Sequence, residues 1–172
     1  MRPRVFLVTT HPTFQQLIDL PAYVEQPVPM PFEDINGHLN VRHYIGIASE
    51  GLDESLVEVG IPQMWPLTDG HACFTAEHHV TYLHELRTGD TMSARVRLLG
   101  RSERAAHVLV YLLDETHEQV ACVVEEVFLH IDLESRLTAP WPAEVAEALD
   151  ARVAEHDSLP FPADTSGSLA LR

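Results

Sequence analysis

An acidic residue, Asp34, stands just before an Asn36-Gly37 pair in residues 32–44, which read F-E-D-I-N-G-H-L-N-V-R-H-Y. Asn-Gly is a strong turn dipeptide because both residues tolerate a positive φ. Asn40 then stands where a helix N-cap is expected, and an apolar run with helical spacing follows it. This spacing aims a carboxylate at the first N–H groups of a helix, which can bind an oxyanion.

Such an arrangement suits acyl chemistry, in which a carboxylate or a water attacks a carbonyl and a donor holds the resulting oxyanion. The same residues also suit a capped turn with a solvated aspartate, and spacing alone does not separate the two interpretations. His38 and Asn40 share this ambiguity. They can orient Asp34 or a water, or they can simply stabilise the turn and cap the helix.

Residues 34–44 resemble the D-x-x-G-H-x-N-x-x-x-Y signature of hot-dog-fold acyl-CoA thioesterases, the 4-hydroxybenzoyl-CoA thioesterase-like superfamily. Within it, the chain is most similar to the betainyl-CoA thioesterase group, which also occurs fused to carnitine dehydrogenases. The resemblance continues through residues 74–90 and 129–132, and it spans residues 22–141. It implies that Asp34 is the catalytic carboxylate and that backbone N–H groups around Val41 polarise the substrate carbonyl.

Further candidate residues lie in the motif, in the loop after the helix and in the following strand. The candidate substrate-binding residues there are Gly37, Tyr44, Trp65, Phe74, Thr75 and Glu77. A loop tryptophan such as Trp65 can line an acyl pocket or simply cover the core. Glu77 is a candidate for positioning the substrate, because some hot-dog thioesterases use a carboxylate from the helix or sheet.

Histidines are frequent, but their spacing disfavours a metal site. His78 and His79 would face opposite sides of a strand, and no C-x-x-C or H-E-x-x-H accompanies them. The absence of G-x-S-x-G also argues against a serine hydrolase. We therefore expect neither a metal nor a redox cofactor.

The net charge of −15 argues against nucleic acid as a partner, since phosphates would be repelled. No apolar run reaches membrane-spanning length, and Cys73 and Cys122 read as buried free thiols, so a cytoplasmic protein without a membrane partner is expected. All eleven basic residues are arginine, and five lie close together in sequence: Arg87, Arg95, Arg97, Arg101 and Arg104. This group suits either a solvated strand face or phosphate docking.

Arg101 and Arg104 are the leading candidates for holding coenzyme A. The chain departs from the family pattern here. A basic pair and histidine resembling K-R-x-H are expected, whereas this sequence has Arg104-Ala105-Ala106-His107. One basic residue is lost, so the CoA contacts of the family do not transfer directly to this segment.

Periodicity predicts one long helix over residues 41–59, with its apolar face formed by Ile45, Ala48, Leu52, Leu56 and Val59. Gly46 and Gly51 weaken this helix intrinsically, and their small size would let a sheet approach closely. Alternating or largely apolar segments predict strands over residues 72–83, 92–98, 106–113 and 119–133, and a short strand bounded by prolines is predicted over residues 23–28. In the first of these, over residues 72–83, strict alternation puts Phe74, Ala76, Val80 and Tyr82 on one face.

The termini flank this predicted domain. Residues 1–20 are predicted to form an extension, with a strand over residues 4–10 and helical turns over residues 13–20. Residues 21–141 form the domain, and residues 142–172 hold a short helix over residues 143–156 and a tail expected to be mobile. The fold class is α+β: a curved antiparallel sheet wrapped around one long helix, the hot-dog fold of the resemblance.

The leading hypothesis is an acyl-CoA thioesterase that releases a short or medium carboxylic acid, with betainyl-CoA as one candidate substrate. The alternatives are a hot-dog hydratase, a general medium- or long-chain thioesterase and a non-catalytic acyl-CoA-binding module. An intact D-x-x-G-H-x-N arrangement favours the thioesterase over the hydratase and the module. A homodimer or homotetramer is expected, because a wrapped sheet leaves edge strands that need pairing and because the family builds each site from two subunits.

Overall fold

A single long helix, α2 (Val41–Val57), packs against a curved antiparallel sheet in the computed structural model, which describes residues 11–171. The main strands are β1 (Tyr23–Pro27), β2 (His71–Tyr82), β3 (Thr91–Arg101), β4 (Ala105–Asp114) and β5 (Gln119–Asp132). Their order in the sheet is β1-β3-β4-β5-β2, and the short β6 (Leu137–Thr138) pairs with β5. All these pairs are antiparallel, which confirms the predicted hot-dog fold.

Three shorter α-helices and one 3₁₀ helix complete the described elements: α1 (Phe14–Leu17), α3 (Trp65–Thr68), α4 (Ala143–Asp157) and the 3₁₀ helix Met30–Phe32. α1 and α4 match predicted helices, whereas the predicted strand over residues 4–10 lies outside the described residues. α3 interrupts the segment that was predicted as a loop. Within the described residues, no helix combines the length and the apolar character needed to cross a membrane.

The position of α2 follows from its N-cap. The Asn40 side chain accepts a hydrogen bond from the Arg42 N–H at 3.1 Å, so the helix begins at Val41 as predicted. The predicted apolar face was partly wrong. Tyr44 and Ile47 are buried, whereas Ile45 is 37% exposed, so the buried stripe is rotated toward Tyr44.

The two helical glycines differ in what surrounds them. A Cβ at Gly51 would lie 2.4 Å from the Cβ of Ala94 on β3, whereas a Cβ at Gly46 would meet nothing within 4 Å. The prediction that small residues allow the sheet to approach is therefore confirmed for Gly51 and wrong for Gly46. Gly51 sets how closely α2 sits on the sheet.

The sheet surface turned away from α2 carries a second apolar cluster, which includes residues of α1 and of the C-terminal segment. A solvated strand face, one of the two alternatives for the arginine group, is wrong for Arg95 and Arg97, which are 5% and 4% exposed. Arg95 donates to the Leu20 carbonyl and to Glu115, each at 2.6 Å. Arg97 donates to the carbonyl of Phe161 at 3.0 Å.

The C-terminal segment lies against the sheet, where the sequence predicted a mobile tail. Phe161 is buried, and its ring lies under the Arg97 guanidinium at 5.1 Å. Further along, the Ser166 N–H donates to the buried Glu125 at 2.7 Å. The polar composition of residues 158–171 did not reveal these contacts, because one aromatic residue and backbone hydrogen bonds attach the segment.

Candidate active site

Asp34 lies in a tight turn between Glu33 and Leu39, which form an isolated antiparallel bridge. The Gly37 N–H donates to the Asp34 carbonyl at 3.0 Å, and Gly37 has a φ of +82°, as the Asn-Gly pattern predicts. The Asp34 N–H donates to the His38 carbonyl at 3.0 Å. These bonds hold the carboxylate on a short, rigid loop that leads directly into α2.

The Asp34 carboxylate is held by its neighbour in the turn. Oδ1 accepts the Asn36 N–H at 2.7 Å, Oδ2 accepts from the Asn36 side chain at 3.2 Å, and His38 Nδ1 lies 3.7 Å from Oδ1. Desolvation raises the pKa of Asp34. The hydrogen bonds from Asn36 and the nearby His38 lower this pKa by more, so it lies below the ordinary value. The group is therefore a carboxylate at neutral pH, available as a base or a nucleophile.

The N–H groups in the first turn of α2 differ in their hydrogen bonding. Asn40 occupies the Arg42 N–H, while the Val41 N–H has no acceptor among the described residues. Asn40 therefore fixes where the helix starts and leaves Val41 as the open donor. His38 is the motif residue that approaches the Asp34 carboxylate, although its Nδ1 is also 3.3 Å from the Leu39 carbonyl oxygen.

An open cavity of about 410 Å³ unites these groups. Its walls are formed by the turn, the start of α2 and the C-terminal end of β2: Asp34, His38, Leu39, Val41, Tyr44, Tyr82, Leu83, His84 and Glu85. Tyr44 and Tyr82 meet edge to face, with ring centroids 5.1 Å apart. The Tyr44 hydroxyl accepts the Leu86 N–H at 3.4 Å. Asp34, Val41 and the two tyrosines thus line one cavity, which brings together a carboxylate residue, a residue with a free N–H and an aromatic wall, as an acyl-transfer site requires.

Sequence patterns do not identify several of these lining residues. Leu83, His84 and Glu85 follow β2 and carry no pattern of their own. The only available signal was their place inside residues 74–90, which belong to the resembling segment. Their position depends on β2 ending beside α2, which periodicity does not reveal.

Other predicted substrate residues lie elsewhere in this chain. Trp65 and Phe74 line a second cavity of about 540 Å³, which lies beside the C-terminal half of α2. Thr75 donates to the buried Glu126 at 2.8 Å. Glu77 is exposed on β2 and lines neither cavity.

A bulge in β2 explains part of this placement. The pairing with β5 shifts between Thr75 and Glu77. Thr75 and His78 consequently both reach Glu126, at 2.8 and 2.9 Å, which strict alternation would forbid. The predicted shared face of Phe74, Val80 and Tyr82 was therefore wrong, and Phe74 is 46% exposed.

The candidate coenzyme A arginines do not line the cavity of Asp34 within this chain. Arg101 Nε donates to Asp150 Oδ1 at 2.8 Å and to the Ala146 carbonyl at 3.1 Å, both on α4. Arg104 donates to the Thr138 carbonyl at 3.1 Å, and its side chain stays 48% exposed. Of the two, Arg104 is the more accessible to a phosphate.

Metal-ligating side chains cluster at one place in the described part of the chain. Within residues 11–171, three such groups come close together only at Asp90, Asp114 and His117. Asp114 accepts the His117 N–H at 3.0 Å and lies 2.8 Å from its Nδ1, so hydrogen bonding in the β4–β5 turn accounts for this grouping. His78 is bonded to Glu126, as described above.

Comparison with known proteins gives the same picture as this geometry. Over 138 residues the chain is 30% identical to a betainyl-CoA thioesterase of Pseudomonas aeruginosa, covering 80% of this chain and 87% of that protein. It is also 30% identical to an L-carnitine dehydrogenase/betainyl-CoA thioesterase of Agrobacterium fabrum, over 78% of this chain but only 27% of that longer protein. A Staphylococcus aureus protein solved in complex with CoA shares the fold, with a TM-score of 0.77 and 20% identity over 89% of this chain and 97% of its own.

A family model described as the thioesterase-like superfamily matches residues 28–149. The matched region contains the Asp34 turn, α2 and all the strands from β2 to β6. The chain therefore belongs to the thioesterase-like superfamily.

Proposed function

We propose that this protein is an acyl-CoA thioesterase in which Asp34 carries the chemistry. The observation that supports the proposal best is the shared cavity, which is lined both by Asp34 and by Val41, whose N–H has no acceptor among the described residues. Membership of a thioesterase family adds that a thioester is the bond to expect there. The CoA-bound Staphylococcus protein of the same fold supports CoA as the thiol portion.

The reaction adds one water across the thioester and yields a carboxylic acid and free CoA. Asp34 either removes a proton from the attacking water or attacks the carbonyl itself, forming an anhydride that water then cleaves. In both routes the Val41 N–H donates to the oxyanion, and the departing CoA sulfur takes up a proton. His38 positions the Asp34 carboxylate.

Replacing Asp34 by Asn tests the central assignment. Thiol release should fall about a hundredfold or more in kcat, because the carboxylate acts in the chemical step. Asp157→Asn on the exposed end of α4 is the matched control, and it should keep normal turnover. A folded Asp34→Asn protein with near-normal kcat would contradict the proposal. Single turnover in ¹⁸O-water then tests the anhydride route, since ¹⁸O enters Asp34 only when water cleaves an anhydride at the Asp34 carbonyl.

We further propose a homo-oligomer built on a dimer that pairs through β2. β2 is a 12-residue strand that lies at the edge of the sheet and pairs only with β5 among the described strands, and most of its central residues are exposed. The opposite edge, β1, is short, bulged and bounded by prolines, which discourages pairing. Light scattering should give at least a dimer, and a monomer that retains full activity would contradict the proposal.

The acyl group we propose is short, with betainyl-CoA as the first candidate. Two relatives carry betainyl-CoA thioesterase in their names. The test compares kcat/KM for betainyl-, butyryl- and octanoyl-CoA. Octanoyl-CoA as the preferred substrate would instead favour a general medium-chain thioesterase.

A further inference from the structure

The second cavity, about 540 Å³ beside the C-terminal half of α2, is lined by acidic and aromatic residues. The charged residues that line it are Glu50, Asp53 and Glu54, on consecutive turns of one helix. Trp65 and Phe74 belong to the same lining, and the Trp65 ring is held by stacking on the buried His130 at 5.3 Å. Among the described residues, no basic side chain belongs to this lining.

The charge of this cavity is reinforced from the sheet behind it. Glu126 on β5 is 2% exposed, and it lines a small adjoining cavity together with Asp53. Partial burial raises the pKa of Asp53, and the carboxylates of Glu126 and Glu50 raise it further. Glu54 has a partner, since it accepts the Val24 N–H at 3.0 Å. Glu50 and Asp53 thus remain the carboxylates that a cation could neutralise.

The geometry favours an organic cation over a metal ion. Among residues 11–171, these carboxylates do not form a group close enough to share one ion. A trimethylammonium group spreads its charge over a large surface and is held by aromatic rings and by carboxylates at longer range. A betainyl group ends in this cation, and it is the acyl group named for two relatives of the chain.

The distance to Asp34 decides which subunit such a group would reach. Val41 and Asp53 are twelve residues apart on α2, which is about 18 Å along a helix. A betainyl group cannot span that distance from a thioester held at Asp34 of the same chain. The two cavities also lie at opposite ends of β2, with Tyr82 lining one and Phe74 the other.

Antiparallel pairing of β2 with a second copy about its middle removes this separation. The end of β2 with Tyr82 then lies beside the opposite end of the other copy, so the Asp34 cavity of one subunit adjoins the acidic cavity of its partner. We propose that this acidic cavity recognises a cationic acyl end, through Glu50 and Asp53, of a thioester held at Asp34 of the other subunit. The proposal rests on the proposed thioesterase function and on the proposed dimer.

The first experiment compares two CoA esters that differ only in charge. 3,3-Dimethylbutyryl-CoA replaces the nitrogen of betainyl-CoA by carbon and keeps its shape. The wild type should prefer betainyl-CoA, and the double variant Glu50→Gln/Asp53→Asn should lower the ratio of the two kcat/KM values about tenfold. Glu147→Gln on the exposed side of α4 is the matched control and should keep the wild-type ratio.

The second experiment tests whether the two cavities act across subunits. Mixed dimers of Asp34→Ala with Glu50→Gln/Asp53→Asn, carrying different tags, contain one site with both an intact Asp34 and an intact acidic cavity. They should recover the wild-type ester preference. If the cavity acted within its own chain, no site would have both parts and the preference would stay low.

The results separate the failure of this inference from the failure of the proposed function. If the wild type hydrolyses neither ester nor any other acyl-CoA, the thioesterase proposal fails. If it hydrolyses acyl-CoA esters but shows no preference for the cation, or if the double variant keeps that preference, only the acidic cavity is wrongly assigned. A mixed dimer without recovered preference overturns its action across subunits.

Discussion

Replacing Gly51 by Ala should destabilise the protein even though alanine is the better helix former. The added Cβ would lie 2.4 Å from the Cβ of Ala94, which is fully buried on β3 and has no torsion that could move it away. Ordinary carbon contacts are about 3.5–4.0 Å, so helix and sheet must separate by about 1 Å or more. Such overpacking costs about 1–3 kcal/mol.

Gly46→Ala supplies the matched control, because Gly46 lies in the same helix and its Cβ would meet open space. Both substitutions gain the same helix propensity, about 1 kcal/mol, so the difference between the two variants isolates the contact with Ala94. We expect Gly46→Ala to be neutral or more stable than wild type. The free energy of unfolding of Gly51→Ala should be about 1–3 kcal/mol lower than that of Gly46→Ala.

Urea unfolding at a fixed protein concentration measures both variants, since stability of an oligomer depends on concentration. A double-mutant cycle with Ala94→Gly should show a favourable coupling, because removing that Cβ makes room for the new one. Gly51→Ala should also lower kcat, since α2 carries Val41 into the cavity of Asp34. Equal stability of Gly51→Ala and Gly46→Ala would refute the packing argument.

Three further results are expected. Because the pKa of Asp34 is lowered, kcat/KM should stay constant as the pH is lowered and should decrease only below the ordinary pKa range of aspartate. A decrease in kcat/KM that begins above this range would contradict the assignment of Asp34. Phe161→Ala should cost about 3–5 kcal/mol in urea unfolding, because the ring is buried beneath Arg97, whereas a freely moving tail would lose nothing. Arg104→Glu should raise KM for CoA esters at low salt more than Arg101→Glu, whose charge already pairs with Asp150, and equal KM values would remove Arg104 as a phosphate contact.

Local signals were sufficient wherever short-range chemistry decides the structure. The Asn36-Gly37 turn, the Asn40 cap and the start of α2 follow from side-chain and backbone preferences within a few residues. The strands from β3 to β5 were predicted to within three residues at each end, because alternation and turn residues mark them. The same stretch identified the carboxylate that faces the candidate cavity.

Features that depend on distant contacts were missed or misassigned. Arg95 and Arg97 looked solvated because an alternating polar residue normally faces water, but chain segments from both ends cover that face. The bulge between Thr75 and Glu77 changed which side chains share a face of β2, and no residue in that strand marks it. The aromatic candidates do not line one pocket. Tyr44 and Tyr82 line the cavity at the start of α2, whereas Trp65 and Phe74 line the cavity at its other end.

The sequence by itself thus determined the turn, the cap and the order of elements, since each is set by residues near one another in the chain. Only the tertiary structure decided that Leu83, His84 and Glu85 complete the cavity of Asp34, and that Glu50 and Asp53 line another at the far end of α2. Both depend on where β2 lies against α2. Burial of one helical face and the close approach to β3 at Gly51 hold α2 on the sheet, and the strand order places β2 at the sheet edge, so both features join residues far apart in sequence.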